Sequence, residues 1–353
     1  MHLNSVLSLK EELSRGMSLT ARAVPREVAR AFTASSSRVT MARRLDVVHT
    51  RTPESTRVAF GVAAGKRTGD FRLGARVQVA GAAGRRLAAE IREKARGEVD
   101  VRITPKIRKR RPSPSWFQGR HRPLEAGLSC GHYKITAGTI GFIVQDDDAY
   151  YVLSNNHVLA DVNAGQPGDP IVQPGPLDQT GRGKKVNDRT LIGVLDRFVP
   201  MSFHRSNVVD CAVAELLPEL DFYVGWTEAL PGRVKGFKPL TPGDIGRPVM
   251  KAGRTTGVTR GLITQVRLDR LGVDMGDPPA ERIASFSNQV EISGVGSRPF
   301  SDGGDSGSLI VDEQGYARAL LFSGGEDEET GDDLTFANPI ELVLGKLGVR
   351  LAL

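Results

Sequence analysis

A serine enclosed by glycines restricts the fold of this chain more than any other segment does. It stands in the run GGDSGS at residues 303–308. Glycines let the backbone turn tightly, so that two main-chain N–H groups can meet at one point beside the serine. We predict Ser306 as a nucleophile and the amides of Gly304 and Ser306 as donors to a negatively charged oxygen, the oxyanion. Taken alone, the same run is also typical of an ordinary turn.

Two upstream segments supply partners for such a serine. The β-rich run 150–153 predicts a strand, and His157 follows its end. Histidine is the side chain that ordinarily titrates near neutral pH, which suits a general base. Asp210 opens the alternating apolar run 210–216, which places its carboxylate at a barrel rim, where it can orient the imidazole. Individually, a surface histidine and a strand-end cap are the simpler interpretations; together the segments favour the catalytic one.

The order of these three residues along the chain narrows the choice of fold. His157, Asp210 and Ser306 follow the order of chymotrypsin-type enzymes, which differs from the orders in α/β-hydrolases and subtilisins. Residues 249–263, VMKAGRTTGVTRGLI, resemble the opening hairpin of the second barrel in secreted bacterial proteases of the streptogrisin and α-lytic type. Over roughly residues 128–345 the chain therefore resembles the trypsin/chymotrypsin superfamily of serine proteases. It is also similar to intracellular bacterial trypsin-like peptidases and to plant narrow-leaf-type proteases.

The resemblance implies a fold and an activity. The fold is mainly β, a chymotrypsin-like double β-barrel, preceded here by a small N-terminal α/β region. The activity is that of a serine endopeptidase acting on a protein or peptide through a His–Asp–Ser triad and an acyl-enzyme, with no cofactor and no metal. The alternative is a latent or inactive protease-like binding or scaffold protein regulated by its N-terminal region.

The resemblance also assigns residues that would contact a substrate. Ser323, Gly324 and Gly325 match the segment that pairs with the substrate backbone in that superfamily. Phe300, six residues before Ser306, matches the floor of the primary specificity pocket. An aspartate there would favour Lys or Arg in the substrate, whereas phenylalanine favours an apolar or small side chain.

Some residues depart from the pattern of the extracellular relatives. Val158 stands where many of those relatives carry a cysteine, and Ser308 replaces the more usual glycine. No Ile-Val-Gly-Gly sequence precedes the first barrel. Activation of the enzyme by a freed N-terminal ammonium that pairs with Asp305 is therefore not expected. Cys130 and Cys211 are the only cysteines in the chain. We expect them to be buried thiols of a reducing compartment, and a cytoplasmic protein without a membrane span.

Charge is distributed unevenly along the 353 residues, whose net charge is +7. Residues 1–128 hold 27 Lys and Arg against 11 Asp and Glu, a net charge of +16, and the remainder has −9. A basic region of this kind can contact an acidic partner or nucleic acid. The simpler interpretation is complementarity between the two parts of one chain, together with a solvated arginine-rich surface, because no aromatic platform accompanies the arginines. A homo-oligomer is also compatible with this sequence.

Composition and periodicity divide the chain into four parts. We predict a helical and mobile segment (1–44), a small basic α/β domain with the order β-β-α-β (45–107), a basic proline-rich linker (108–126) and a protease domain (127–353). Within the last part we expect barrel 1 at about 127–225, barrel 2 at about 240–337 and a C-terminal helix at 338–348.

Overall fold

The computed structural model describes residues 1–20 (16–20 by their backbone), 58–65, 67, 69–104, 116–179, 186–225, 230, 233–276, 281–296 and 298–353. Residues 21–44 of the predicted N-terminal segment, 45–57 of the predicted α/β domain and 108–115 of the predicted linker lie outside the described residues. The described helices are α1 (Leu3–Thr20), α2 (Gly81–Lys94), α3 (Asn156–Leu159) and α4 (Ile340–Leu347). None of these four is both long and apolar enough to span a bilayer.

The strands form two large sheets and one short hairpin. In chain order they are β1 (Val58–Ala64), β2 (Phe71–Val77), β3 (Val99–Ile103), β4 (Ser129–His132), β5 (Gly138–Thr139), β6 (Phe142–Gln145), β7 (Tyr150–Ser154), β8 (Pro170–Val172), β9 (Leu191–Phe198), β10 (Ala212–Leu216), β11 (Pro248–Gly253), β12 (Gly257–Asp269), β13 (Leu271–Asp274), β14 (Ile283–Phe286), β15 (Gln289–Gly294), β16 (Leu309–Asp312), β17 (Ala317–Glu326), β18 (Asp333–Pro339) and β19 (Arg350–Leu351).

Six strands of the C-terminal half close into a barrel. They pair in the order β11-β16-β17-β18-β15-β12, and β11 pairs back onto β12. Every second residue from Gly257 to Ile263 on β12 is buried, as strand geometry requires when one face lines a core. Val249, Ile292 and Leu321 are among the side chains that fill the barrel.

The first half of the protease region is a curled sheet. Its order is β19-β6-β7-β10-β9-β8-β4-β5, and its end strands are not hydrogen-bonded to each other within the described residues. Leu128, Ile143 and Val152 belong to its apolar core. A further core joins this sheet to the closed barrel and to α4, so the two halves pack together along a shared apolar interface.

The N-terminal α/β unit extends the closed barrel. β1 pairs antiparallel with β12, β2 pairs with β1, and β3 lies parallel to β2 after the crossover through α2. Val6 and Leu13 of α1 are buried against this unit. The predicted domain boundaries stay predictions, but one nine-stranded sheet runs from β3 through β1 into the barrel.

The predicted fold class is confirmed by this topology. The chain is mainly β, with one closed barrel, one curled half-barrel and an N-terminal α/β region. The first barrel differs from a closed ring, since its end strands remain apart. The C-terminal helix begins at Ile340, two residues after its predicted start.

Both cysteines are buried and neither forms a disulfide. Burial raises the pKa of the Cys130 thiol. Burial, together with the negative charge of Asp210, raises the pKa of the Cys211 thiol. Neither thiol is therefore suited to act as a nucleophile at neutral pH.

Candidate active site

Strand pairing brings His157 and Asp210 together. β10 pairs with β7 so that Ala212 lies opposite Ser154. The residues just beyond Ser154 and just before Ala212 therefore meet at one end of the sheet. There the Nδ1 atom of His157 forms a hydrogen bond with Oδ2 of Asp210, and the His157 amide donates to Oδ1 at 3.2 Å. Both residues are buried.

Further polar residues hold the backbone of Asp210. Its amide donates to Oδ1 of Asn338 at 2.9 Å, and its carbonyl accepts from Nδ2 of Asn155 at 2.7 Å. Asn338 belongs to β18 of the closed barrel and in turn donates to Oε1 of Gln289 at 2.6 Å. Sequence reasoning missed Asn338, because no local pattern links it to Asp210.

The loop of Ser306 lies beside the first sheet. The Thr139 amide donates to the Ser306 carbonyl at 2.8 Å. A Cβ on Gly138 would lie 2.4 Å from the side chain of Val158 and 3.1 Å from the Ser306 carbonyl oxygen. Gly138 therefore lies between Val158, which follows His157, and the backbone of Ser306.

The amides of Gly304 and Ser306 differ from those around them. The amides of residues 303, 305, 307 and 308 each donate to a protein oxygen. Among the described residues, no protein group accepts from the Gly304 or the Ser306 amide. Gly304 has φ +95°, a conformation that favours glycine. The loop thus leaves unused the two N–H groups that were predicted to bind an oxyanion.

The Ser306 hydroxyl makes a different contact from the one expected of a nucleophile. It donates to the Phe322 carbonyl at 3.4 Å, which exceeds the usual range for this kind of bond. Within the described residues it does not donate to Nε2 of His157. In ligand-free enzymes catalytic hydrogen bonds are often long and tighten only when a substrate binds.

Asp305 anchors the loop from inside the protein. It is fully buried and accepts from the amides of Thr255, Thr256 and Asp302, from the Thr256 hydroxyl and from Nζ of Lys251. An internal lysine therefore supplies the positive charge beside Asp305.

The residues predicted to contact substrate lie on β17 and near it. Ser323, Gly324 and Gly325 pair with β18, and β16 pairs with β17 only as far as Leu320. The side chain of Phe300 is fully buried and packs in the core of the closed barrel. Its assignment as a pocket floor stays a prediction.

A small polar pair lies next to these residues. Ser301 Oγ and Thr335 Oγ1 lie 2.6 Å apart, both buried, and a Cβ on Gly324 would come within 3.5 Å of Ser301 Oγ. Sequence reasoning did not single out either hydroxyl. In the described parts of the chain, no group of three His, Cys, Asp or Glu side chains is arranged to hold a metal ion.

Comparison with known proteins yields only structural similarity. No protein-family model matches the chain, and no curated protein matches it. Similar solved structures include Protease A of Thermobifida fusca, with 16% identity and a TM-score of 0.44, covering 65% of this chain and 98% of that one. The Nocardiopsis protease has 18% identity and a TM-score of 0.43, covering 65% and 99%. The chymotrypsin of Cellulomonas bogoriensis has 18% identity and a TM-score of 0.43, and the match covers 65% of this chain and 97% of that one. Chymotrypsin-like serine proteases are thus among the solved structures to which this chain is similar.

Proposed function

We propose that the protein is a serine endopeptidase that works by acyl transfer. Ser306 Oγ attacks a peptide carbonyl carbon while His157 accepts the hydroxyl proton. The C–N bond then breaks, and His157 returns the proton to the leaving amine. Water, activated by the same imidazole, hydrolyses the resulting ester and releases Ser306. Asp210 orients the imidazole and stabilises its protonated form.

The observation that carries this proposal is the pattern of amides around Ser306. Four neighbouring amides are bonded within the loop, while those of Gly304 and Ser306 have no protein acceptor among the described residues. One of these amides belongs to the serine itself and the other to the residue two positions before it. An oxyanion site requires such donors, and removing one typically costs about a hundredfold to a thousandfold in kcat.

The buried pair of His157 and Asp210 supports the same chemistry. Since Nδ1 faces the carboxylate, Nε2 is the ring nitrogen suited to exchange a proton with Ser306. For that exchange the Ser306 hydroxyl has to leave the Phe322 carbonyl, to which it donates at 3.4 Å.

The proposed substrate is an extended peptide. Ser323, Gly324 and Gly325 lie beyond the part of β17 that pairs with β16, where a further strand can add. Phe300 at the predicted pocket floor favours an apolar or small side chain over Lys or Arg.

One observation favours a latent protein as the second candidate. The Ser306 hydroxyl is hydrogen-bonded to Phe322 rather than to His157. In a latent protein this hydrogen bond belongs to the resting state, and activity requires the Ser306 hydroxyl to move from Phe322 to His157.

Covalent labelling separates these two candidates. The full-length protein is treated with a fluorophosphonate probe, and Ser306→Ala is the control. We expect labelling of the wild type at Ser306 and none in the variant. An unlabelled wild-type protein with native circular dichroism would favour the latent candidate, and labelling that survives in Ser306→Ala would overturn the assignment of the nucleophile.

A further inference from the structure

We propose that Thr255 is a positioning residue that sets the orientation of the Gly303–Gly304 peptide. In this proposal an ion pair between Arg254 and Asp178 holds the Thr255 hydroxyl in place. The inference rests on the proposed function, and it adds residues to which the sequence pattern assigned no role.

The first step is the geometry of one peptide bond. The Thr255 hydroxyl donates to the Gly303 carbonyl at 2.7 Å. In a trans peptide the N–H points away from the C=O, and the bond between Gly303 and Gly304 is not among the cis bonds of the described residues. Because the Gly303 carbonyl points toward Thr255, the Gly304 N–H points to the opposite side, away from Thr255.

The second step concerns the direction of the hydroxyl proton. A threonine hydroxyl has one proton and two lone pairs, whereas arginine can only donate. Nη1 of Arg254 lies 3.2 Å from Thr255 Oγ1 and must donate to it. The single proton of Thr255 is therefore directed to the Gly303 carbonyl.

The third step is the anchoring of Arg254 across the two halves of the protease region. Its Nε donates to Oδ2 of Asp178 at 2.6 Å, its Nη2 donates to Oδ1, and its side chain is 1% exposed. Arg254 lies in the β11–β12 turn of the closed barrel. Asp178 ends a short helical turn (Pro176–Asp178) of the first half, where Ser129 on β4 donates to it at 2.6 Å. The pair thus bridges the two halves.

The backbone of Arg254 reinforces the same loop. Its amide donates to Thr139 Oγ1 at 3.1 Å, and that hydroxyl donates to the Gly304 carbonyl at 2.8 Å. A Cβ on Gly304 would lie 2.2 Å from Nη1 of Arg254 and 2.8 Å from Thr255 Oγ1. Gly304 therefore lies directly against both residues.

The second oxyanion donor is held differently. The Asp305 carbonyl, which belongs to the same peptide as the Ser306 amide, accepts from Ser308 Oγ at 2.6 Å and from the Ser308 amide at 3.0 Å. That peptide is fixed within its own loop, whereas the Gly303–Gly304 peptide depends on Thr255. Changing Thr255 should therefore affect one donor and leave the other.

The test compares Thr255→Val with Thr255→Ser in the full-length protein. Valine keeps the shape and removes the hydroxyl, while serine restores it. Because loss of one donor costs about a hundredfold to a thousandfold, we expect Thr255→Val to lower kcat on a cleavable peptide by about tenfold or more. We expect KM to stay within about twofold and Thr255→Ser to recover most of kcat.

A second readout follows the oxyanion itself. A peptide boronic acid forms a tetrahedral adduct with the serine, and its affinity should fall together with kcat in Thr255→Val. The affinity of a non-covalent product peptide should not change. Thr264→Val is the matched control, since Thr264 Oγ1 donates to Glu291 Oε1, and among the described residues the Glu291 carboxylate is not hydrogen-bonded to residues 303–308. If Thr255→Val unfolds below the assay temperature, kcat and boronate affinity are measured instead in Asp178→Asn, which weakens the ion pair that holds Arg254 against Thr255.

The outcomes separate this inference from the proposed function. A wild-type protein without hydrolysis or adduct formation overturns both. An active wild type together with unchanged kcat and boronate affinity in Thr255→Val overturns the role of Thr255 alone. The role is also overturned if Thr255→Ser is as impaired as Thr255→Val.

Discussion

Lys251 Nζ lies 3.0 Å from Oδ2 of Asp305, and neither side chain is exposed to solvent. Burial lowers the pKa of Lys251, and the carboxylate of Asp305 opposes that effect. Lys251 also donates to the hydroxyl of Thr256 and to the Gly257 carbonyl at 3.1 Å. The Lys251 ammonium therefore links β11 to the loop that carries Ser306 through its ion pair with Asp305.

Replacing Lys251 by methionine should damage both stability and the site. The change leaves the carboxylate of Asp305 buried without its cation, which typically costs about 3–5 kcal/mol in the free energy of unfolding. Urea unfolding measures that loss, and fluorophosphonate labelling of Ser306 should slow in the fraction that stays folded. The matched change Lys346→Met, on the exposed side of α4, should alter the unfolding free energy by less than about 0.5 kcal/mol. Equal stability of the two variants would contradict this account.

Gly304 should not tolerate alanine. Its φ is +95°, and a Cβ would lie 2.2 Å from Nη1 of Arg254. We expect Gly304→Ala to displace the oxyanion amide and to lower kcat by about a hundredfold or more. Gly345→Ala is the control, because no atom lies within 4 Å of a Cβ there; in the middle of α4 it should add about 0.5–1 kcal/mol of stability. Wild-type kcat in Gly304→Ala would exclude its amide from the site.

Arg76 should couple the N-terminal unit to the barrel. From β2 it reaches Glu291 on β15 with two hydrogen bonds of 2.5 Å and Asp100 on β3 with one of 2.9 Å. Arg76 and Glu291 are fully buried. Arg76→Met leaves Glu291 buried without its cation and should lower the unfolding free energy by about 3–5 kcal/mol. Urea unfolding checks this, and an effect below about 1 kcal/mol would contradict it.

Asp100 should make part of this stability depend on pH. Burial raises the pKa of Asp100, but the positive charges of Arg76 and Arg102 outweigh that effect, and the pKa lies below its ordinary value of 3.8. A lowered pKa means that the carboxylate adds stability above pH 3.8 and loses that contribution as the pH falls through the lower folded-state pKa. The difference in unfolding free energy between wild type and Asp100→Asn should therefore stay constant from pH 7 to about 5 and shrink in stronger acid. A difference that grows on acidification would contradict this prediction.

The barrel topology could be predicted from the family resemblance, but the attachment of the N-terminal unit could not. The β-β-α-β order follows from alternation and helical spacing, and the hairpin at 249–263 follows from its resemblance to the bacterial proteases. The pairing of β1 with β12 joins Ala63 to Gln265, and nothing in either segment specifies the other. Glycines at 61 and 74 leave room for the Gln265 side chain beneath β1 and β2, a relationship visible only in the folded chain.

The candidate site was predictable in part, because some of its residues have a local sequence signal and others are joined only by contacts between distant segments. His157 and Asp210 each stand at the end of a recognisable strand, and the structure brings them together. Lys251 had a local signal, a lone lysine in an otherwise apolar strand, but its partner Asp305 lies on a distant loop. Asn338 and the pair of Arg254 with Asp178 have no local signal at all. The spacing that matches Phe300 to the pocket floor does not indicate that its side chain packs in the barrel core.

Hydrolysis of a peptide library tests the central claim most directly. The wild-type protein and Ser306→Ala are incubated with internally quenched peptides, and the products are identified by mass spectrometry. We predict cleavage at internal bonds by the wild type, mostly after apolar or small side chains, and loss of nearly all of it in Ser306→Ala. Cleavage that continues unchanged in Ser306→Ala, or a wild-type protein that cleaves no peptide, would contradict the assignment of a serine endopeptidase.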